Sequence, residues 1–572
     1  MRQSERPIPN AVRRLLCGQV LGIYLAMSWA PAAFAAPTTP PPSLAQVPQF
    51  LPTPPGPNVV VTLDDSGSMA QAHVPDGLGG SQGTRRYKSS VFNPLYYDPD
   101  TIYLPPLDAR GRPLSTGFTS AWINGFADGL SGRPNNGSVN LATDYRPTLT
   151  YNPSSTSQNF AAHPNIAADL DALQAGRVAN GGTLVSPFTT TTPGPAYYYR
   201  FKTTLANCDG TINDDDCYEL VIVSATSGTN ASIGPDERAN FANWYSYYRT
   251  RNLLTATAAS RAFAALPDSV RIAWQGLTTC NAFGTSCTGW GGSAVDNRIR
   301  RFADDPLAVN HRSAFYSWLF RLPASGFTPL RTAMMRAGEY YRTSGVNSPY
   351  AQDPQVSRGT EYSCRPNFHI LMTDGFWNSD ADTTSSFCAG SACGNADSAA
   401  RTLPDGTVFP AGALDPDFAL TSIYRDTNAD SLADVAFHYW ASDLRPDLAN
   451  NQAPYYADRT GSAAEQYWNP RNDPATWQRM TNFTVGLGLT ANMTLPGLQW
   501  SGDSLSGTGF NNLRTGVASW PGTGTSATWP AASTDDATAQ GRVYDLWHAA
   551  INSRGLAFSA ERSSELIAGF AR

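Results

Sequence analysis

Val59-Val60-Val61-Thr62-Leu63 is an unbroken run of strand-forming residues that stops on Asp64-Asp65-Ser66-Gly67-Ser68. A strand without polar alternation is buried on both faces, the condition met in a parallel sheet covered by helices. Phe368-His369-Ile370-Leu371-Met372 repeats the arrangement far downstream and ends on Thr373-Asp374-Gly375. Two such strands side by side bring both carboxylates to the edge where open α/β sheets bind their ligands.

The segments around these runs alternate in the same sense. Residues 36–57 form a Pro/Thr-rich spacer. Tyr197–Lys202 and Tyr218–Val223 read as a hairpin stapled between Cys208 and Cys217. A long helical pattern opens at Pro235-Asp236-Glu237 and ends near Ala265, before a strand at Val270–Trp274. Helices follow at His311–Arg321 and from Pro329 onward. Beyond the Asp374 strand come a loose stretch to about Asp430, a helix at Leu432–Leu444, a strand at Phe483–Leu489 and a closing helix at 541–553. This order predicts an α/β domain over 58–553, a doubly wound and mostly parallel sheet with long, partly β insertions. The insertions fall at about 70–234, 275–310, 375–430 and 490–540, and 554–572 reads as the start of a linker.

Residues 1–35 carry four Arg, an apolar stretch from Leu15 to Trp29 and the small residues Ala33-Phe34-Ala35, the pattern of a cleavable secretory signal. The apolar core is shorter than the roughly 20 residues that span a bilayer, so no stable membrane insertion is expected. Losing those four Arg and Glu5 turns 40 basic and 46 acidic residues into 36 and 45, a balance that argues against nucleic acid as partner. Cysteine spacing agrees with export: Cys208 and Cys217, Cys280 and Cys287, and Cys388 and Cys393 lie close enough to close short disulfide loops in an oxidising compartment. With Cys17 lost in the signal, seven cysteines remain and one is unpaired or intermolecular, Cys364 standing with Cys388 and Cys393 around the Asp374 loop, and no paired Cys-x-x-Cys spacing points to zinc.

Asp64, Ser66 and Ser68 supply one carboxylate and two hydroxyls from a tight turn, Thr328 a third hydroxyl as the N-cap of the helix at Pro329, and Asp374 a second carboxylate. Mg²⁺, or Ca²⁺ or Mn²⁺, takes such oxygen ligands. Two carboxylates and three hydroxyls leave a coordination position for an acidic group of a partner. A weaker second cation set is Asp426, Asn428, Asp430 and Asp434, which starts like a calcium loop but has Ser431 and Phe437 where that loop needs Gly and Glu.

Other signals carry less. Gly502-Asp503-Ser504-Leu505 and Asp545-x-x-His548 resemble the two blocks of GDSL hydrolases, but only a short irregular stretch separates them, so catalysis is not expected. Asp545 and His548 read instead as a surface pair or a packed cap on the last helix. Trp244, Tyr245, Tyr247 and Tyr248 stand at helical spacing and read as core, and His369 as a satisfied core residue.

Asp64-x-Ser66-x-Ser68, Thr328-Pro329-Leu330 and Met372-Thr373-Asp374-Gly375 resemble the metal-ion-dependent adhesion site of von Willebrand factor A domains. Phe92-Asn93-Pro94-Leu95-Tyr96-Tyr97, Ile370–Asn378, Leu432-Ala433-Asp434-Val435-Ala436, Asp443-Leu444-Arg445-Pro446 and Asp545–Ala550 resemble the amino-terminal half of the PilC/PilY family of type IV pilus biogenesis proteins and tip adhesins. The resemblance implies a von Willebrand factor A-like fold and passage through the inner membrane to the periplasm, outer cell surface or pilus tip. It implies pilus subunits or minor pilins as partners, and a host or surface ligand offering a carboxylate. Members of the family continue into a propeller that is not expected before Arg572. A secreted adhesin unrelated to pili is the alternative.

Overall fold

The computed structural model describes residues 55–126, 137–305, 310–352, 360–375, 377–378, 394–410, 412, 414–489, 499–500, 505–506, 529–532, 540–560, 562, 564–566 and 569. The proposed signal, Cys388, Cys393 and Ser504 lie outside them.

Strand β1 (Asn58–Leu63) stands near the centre of a six-stranded sheet. The remaining strands of the sheet, apart from a separate hairpin of β2 (Tyr197–Phe201) and β3 (Tyr218–Ile222), are β4 (Arg271–Gly276), β5 (Arg300–Arg301), β6 (Asn367–Thr373), β7 (Thr481–Leu487) and β8 (Ala557–Ala560). Across the sheet the order is β8-β7-β6-β1-β4-β5, with every pairing parallel except β4 with the edge strand β5. The architecture is therefore mixed α/β with one antiparallel edge.

Parallel pairing requires crossovers, and helices supply them. They are α1 (Ala167–Ala179), α2 (Arg238–Tyr247), α3 (Arg251–Ala264), α4 (His311–Leu319), α5 (Leu330–Tyr341), α6 (Leu432–Ala441), α7 (Ala463–Trp468) and α8 (Gln540–Asn552). The two faces of the sheet build separate cores because successive strand residues point opposite ways. Val61, Leu63, Trp274 and Met372 pack with α2, α3 and α4. Val60, Ala273 and Leu371 pack with α5, α6 and α8.

Several boundaries differ from the sequence reading for physical reasons. The helix expected from Pro235 to Ala265 is two helices, because Thr250 is extended (φ −131°, ψ 160°) and the amide of Arg251 turns to the carbonyl of Gln71. The start of α5 moves to Leu330, with Pro329 rather than Thr328 at the N-cap. Pro329 itself has ψ 70°, outside the helical region, so the helix begins one residue later and Thr328 precedes the cap. Residues 557–560, read as linker, form β8 on β7. The 70–234 segment is not a loose excursion either: Tyr96, Tyr97, Tyr145, Tyr197, Tyr198 and Tyr199 join Phe241 and Trp244 in the main core. Tyr245, Tyr247 and Tyr248 are buried there too, as expected.

Disulfides link Cys208 to Cys217 and Cys280 to Cys287. Among the described residues Cys364 is the cysteine outside a disulfide. Among the described residues no helix is long and apolar enough to cross a membrane.

Candidate metal centre

The chain leaves β1 for β4 on one side and later returns to β6 on the other, so the strand order reverses between β1 and β6. A crevice at the carboxyl ends of the strands opens at such a reversal. Leu63 pairs with Met372 there, so Asp64 and Thr373-Asp374 leave the sheet together. The Asp64 amide donates to the Met372 carbonyl at 3.0 Å, extending the ladder one step into the site.

The Ser66 and Ser68 hydroxyls lie 2.9 Å apart, and the Ser68 hydroxyl donates to Asp374 Oδ1 at 2.9 Å. Separations of about 2.9–3.0 Å are those of adjacent ligands on an octahedral ion with bonds of 2.0–2.1 Å. The same separations are those of ordinary hydroxyl hydrogen bonds, so the Ser66, Ser68 and Asp374 oxygens are bonded to one another and could also serve as ligands. Asp64 is held from both sides, Oδ1 accepting from the Ser66 amide at 2.8 Å and Oδ2 from the Thr373 hydroxyl at 2.6 Å. Burial first, and the Asp374 carboxylate second, push the Asp64 acid up to about 8. A cation at the site would favour the ionised form.

The Gly326 carbonyl accepts from the Gly67 amide at 3.2 Å, which sets the 325–328 loop against the serine turn. Thr328 is buried at the mouth of α5, and its backbone amide is bonded to Asn378 Oδ1 at 3.0 Å. The 325–328 loop thus lies against the serine turn, and Thr328 is not the helix cap.

Three contributors escaped the sequence reading. Arg251, at the start of α3, donates to Asp374 Oδ2 at 2.8 Å, to Asp76 Oδ1 at 2.5 Å and to the His73 carbonyl at 2.9 Å. Asp65, beside Asp64, accepts from the amides and hydroxyls of Thr278 and Thr279 and from the Leu277 amide, tying the loop after β4 to the end of β1. Thr373 fixes Asp64. The Asp-Asp pair and the Thr before Asp374 were legible as polar residues at strand ends, but nothing local marked Arg251.

The second cation set does not share one centre. Asp426 Oδ1 accepts from the Asn428 amide, Asp430 Oδ1 from the Gly394 amide, and Asp434 forms a capping box with Ser431 at the start of α6. Asp545 is a buried cap, accepting from the Leu432 and Ala433 amides and from Trp377 Nε1. That role commits its oxygens to a helix N-terminus.

Fold and edge together define an α/β protein that gathers hydroxyl and carboxylate oxygens at the reversal point of a mostly parallel sheet. Type IV pilus biogenesis factor PilY1 of Pseudomonas aeruginosa strain PAO1 is 40% identical over 541 residues, covering 92% of this chain and 39% of that protein. The factors of the same name from strains PAK and UCBPP-PA14 are 40% and 37% identical over 543 and 560 residues. The chain belongs to the PilC/PilY family of type IV pilus biogenesis proteins. It spans 39–40% of the length of the curated relatives it matches. No family model matches it, and no solved structure matches it with significance.

Proposed function

We propose that this chain is an exported binding domain of the type IV pilus system, built like a von Willebrand factor A domain, that holds Mg²⁺ or a similar divalent ion through Asp64, Ser66, Ser68, Thr328 and Asp374. It supports pilus biogenesis and attachment by offering the ion's vacant position to a carboxylate of a partner. The observation that carries the reading is the 2.9 Å contact between Ser68 and Asp374, residues 306 apart in sequence that meet at the sheet's reversal point. The pilus assignment follows from the name of the relatives.

Two carboxylates balance a divalent ion, and Arg251 paired with Asp374 adds one positive charge, so the site as a whole still attracts an acidic partner group. The domain acts by recognition, with no bond made or broken.

Mn²⁺ binding by the purified chain, followed by electron paramagnetic resonance, tests the site. Wild type is expected to bind one ion there, and Ser66→Ala and Ser68→Ala to lose it while melting near the wild-type temperature. In cells the same variants are expected to lower piliation or metal-dependent attachment. Attachment unchanged in a variant shown to have lost its ion would refute the reading.

A further inference from the structure

His548 and Asn552 stand one turn apart on the inner face of α8, both buried. Facing them are Asp397, in the loop after β6, and Asp426, which follows the short turn Ala419–Tyr424. Asp397 is 0% exposed, Asp426 6% and His548 1%, and one ligand atom from each lies within 4.8 Å of the others. Asp397 Oδ2 is 3.6 Å from His548 Nε2, and Asp426 Oδ2 is 3.4 Å from Nδ1. Both exceed the usual 2.7–3.2 Å of an N–H···O bond. Only one ring nitrogen can face a single ion: with Nε2 as ligand, the 3.6 Å to Asp397 Oδ2 approaches the roughly 3.3–3.4 Å between ligands of a tetrahedral ion with bonds of 2.0–2.1 Å, while Asp426 stands on the Nδ1 side of the ring.

Asn552 gives an independent indication. Its Nδ2 donates to Asp397 Oδ2 at 2.8 Å and to the Ala433 carbonyl at 3.4 Å, while its Oδ1 is buried without a hydrogen-bond partner. Turning the amide over relieves no strain unless something positive lies between, because Oδ1 would then confront two oxygens. With a cation there, the turned Oδ1 would be a ligand beside Asp397 Oδ2, and the amide nitrogen would take the place where Oδ1 has no partner. The Tyr424 carbonyl, 3.2 Å from His548 Nε2, adds another oxygen at the same place. Trp529 stacks on the imidazole at 4.5 Å between centroids, closing the cluster from outside.

We propose that Asp397, Asp426 and His548, with the Asn552 amide turned so that its oxygen is the fourth ligand, bind a divalent transition-metal ion that pins α8 to the loops packed against α6. One imidazole with carboxylate oxygens suits Zn²⁺ or Mn²⁺ better than the all-oxygen coordination of Mg²⁺ and Ca²⁺. A site closed on every side by protein is structural in character. Its ligands are separate from those at the ends of β1 and β6, so it stands whether or not that edge binds an ion.

The test uses the whole chain, stripped with chelator and titrated with Zn²⁺, and separately with Co²⁺ as a spectroscopic probe. Wild type and Ser68→Ala are expected to bind one tight Zn²⁺ and to melt several degrees higher with it. Asp397→Asn and His548→Gln are expected to bind about 100-fold more weakly and to lose the shift. Co²⁺ in wild type is expected to give the intense visible bands of a four-coordinate site, a readout that needs no variant to fold. Absence of tight Zn²⁺ binding, Zn²⁺ binding untouched by Asp397→Asn, or a Co²⁺ spectrum of six-coordinate oxygen ligation alone would each overturn the proposal; the first would leave the cluster joined by a shared proton.

Discussion

Arg251 Nη1 lies 2.8 Å from Asp374 Oδ2, and the two side chains are 1% and 0% exposed. The guanidinium fork also reaches Asp76 and the His73 carbonyl, so one cation fixes both the orientation of Asp374 and the segment after the serine turn. With Oδ2 held there, Oδ1 points at Ser68. The arginine thereby leaves one carboxylate oxygen available at the sheet edge and neutralises part of the charge that Asp64 and Asp374 bring.

Arg251→Met is accordingly expected to destabilise the protein by about 3–5 kcal/mol, because it strands a buried carboxylate. Arg251→Lys is expected to recover only part of that, since an ammonium is a point charge without the planar fork that serves three acceptors. Urea denaturation of the three proteins checks both statements. A loss under about 1 kcal/mol in the methionine variant would mean that Asp374 finds another partner.

Gly276 ends β4 against the other half of the same edge. A Cβ there would lie 2.4 Å from Asp65 Oδ2 and 2.6 Å from the Thr279 carbonyl. Asp65 cannot retreat without giving up the donors of Leu277, Thr278 and Thr279, so Gly276→Ala is expected to cost about 2–3 kcal/mol. Thermal melting is the measurement, and a variant as stable as wild type would show that the 277–279 loop adapts.

The β2–β3 hairpin is stapled across a sequence separation of 9 by Cys208–Cys217, with Tyr197, Tyr198 and Tyr199 of β2 buried in the main core. A loop of that length stabilises by about 2–3 kcal/mol when closed. Cys208→Ser with Cys217→Ser is expected to lower the unfolding free energy by that amount and to speed amide exchange in the hairpin. Exchange unchanged across 197–222 would assign the hairpin's order to the tyrosine core alone.

How far the sequence revealed this molecule depended on whether the signal was local. β1 and β6 were legible because both are continuous apolar runs, and their endings on Asp64 and Asp374 marked the edge. Even the hairpin was visible, through its aromatic runs and flanking cysteines. Thr328 was misplaced as a cap because Pro329 stays outside the helical region, which moves the helix start to Leu330. Ala557-Phe558-Ser559-Ala560 has little strand character of its own and becomes β8 through pairing with Thr484–Leu487. The tyrosines of the 70–234 segment follow no helix or strand period, so their burial could be learned only from what they meet. Arg251, Asp397 and Asn552 act through partners 123, 29 and 155 residues away, and no spacing rule reaches that far.

His369 gives the pH prediction. In the middle of β6 its Nε2 lies 2.7 Å from the Thr62 hydroxyl, and its Nδ1 2.8 Å from Asn482 Oδ1. Thr62 already accepts from Gln275 Nε2 at 2.8 Å, so its own proton goes to His369 Nε2, and the ring carries its hydrogen on Nδ1. A second proton would face the Thr62 donor in a fully buried place, and burial accordingly pulls the pKa down from 6.5 to about 4. The unfolded chain therefore binds this proton at higher pH than the folded one. The stability contributed by the neutral ring is fully present above about 6.5, declines as the pH falls toward 4, and is lost below it, a change of about 3 kcal/mol. Buried carboxylates such as Asp65 and Asp545, raised by burial, titrate in the opposite sense. The comparison of wild type with His369→Gln cancels them. The difference in urea unfolding free energy between the two is expected to shrink by about 3 kcal/mol from pH 7 to pH 4, and ¹⁵N spectra of the wild-type ring to show an unprotonated Nε2 at pH 5. A constant difference across that range, or a doubly protonated ring at pH 5, would show that the strand opens to water at His369.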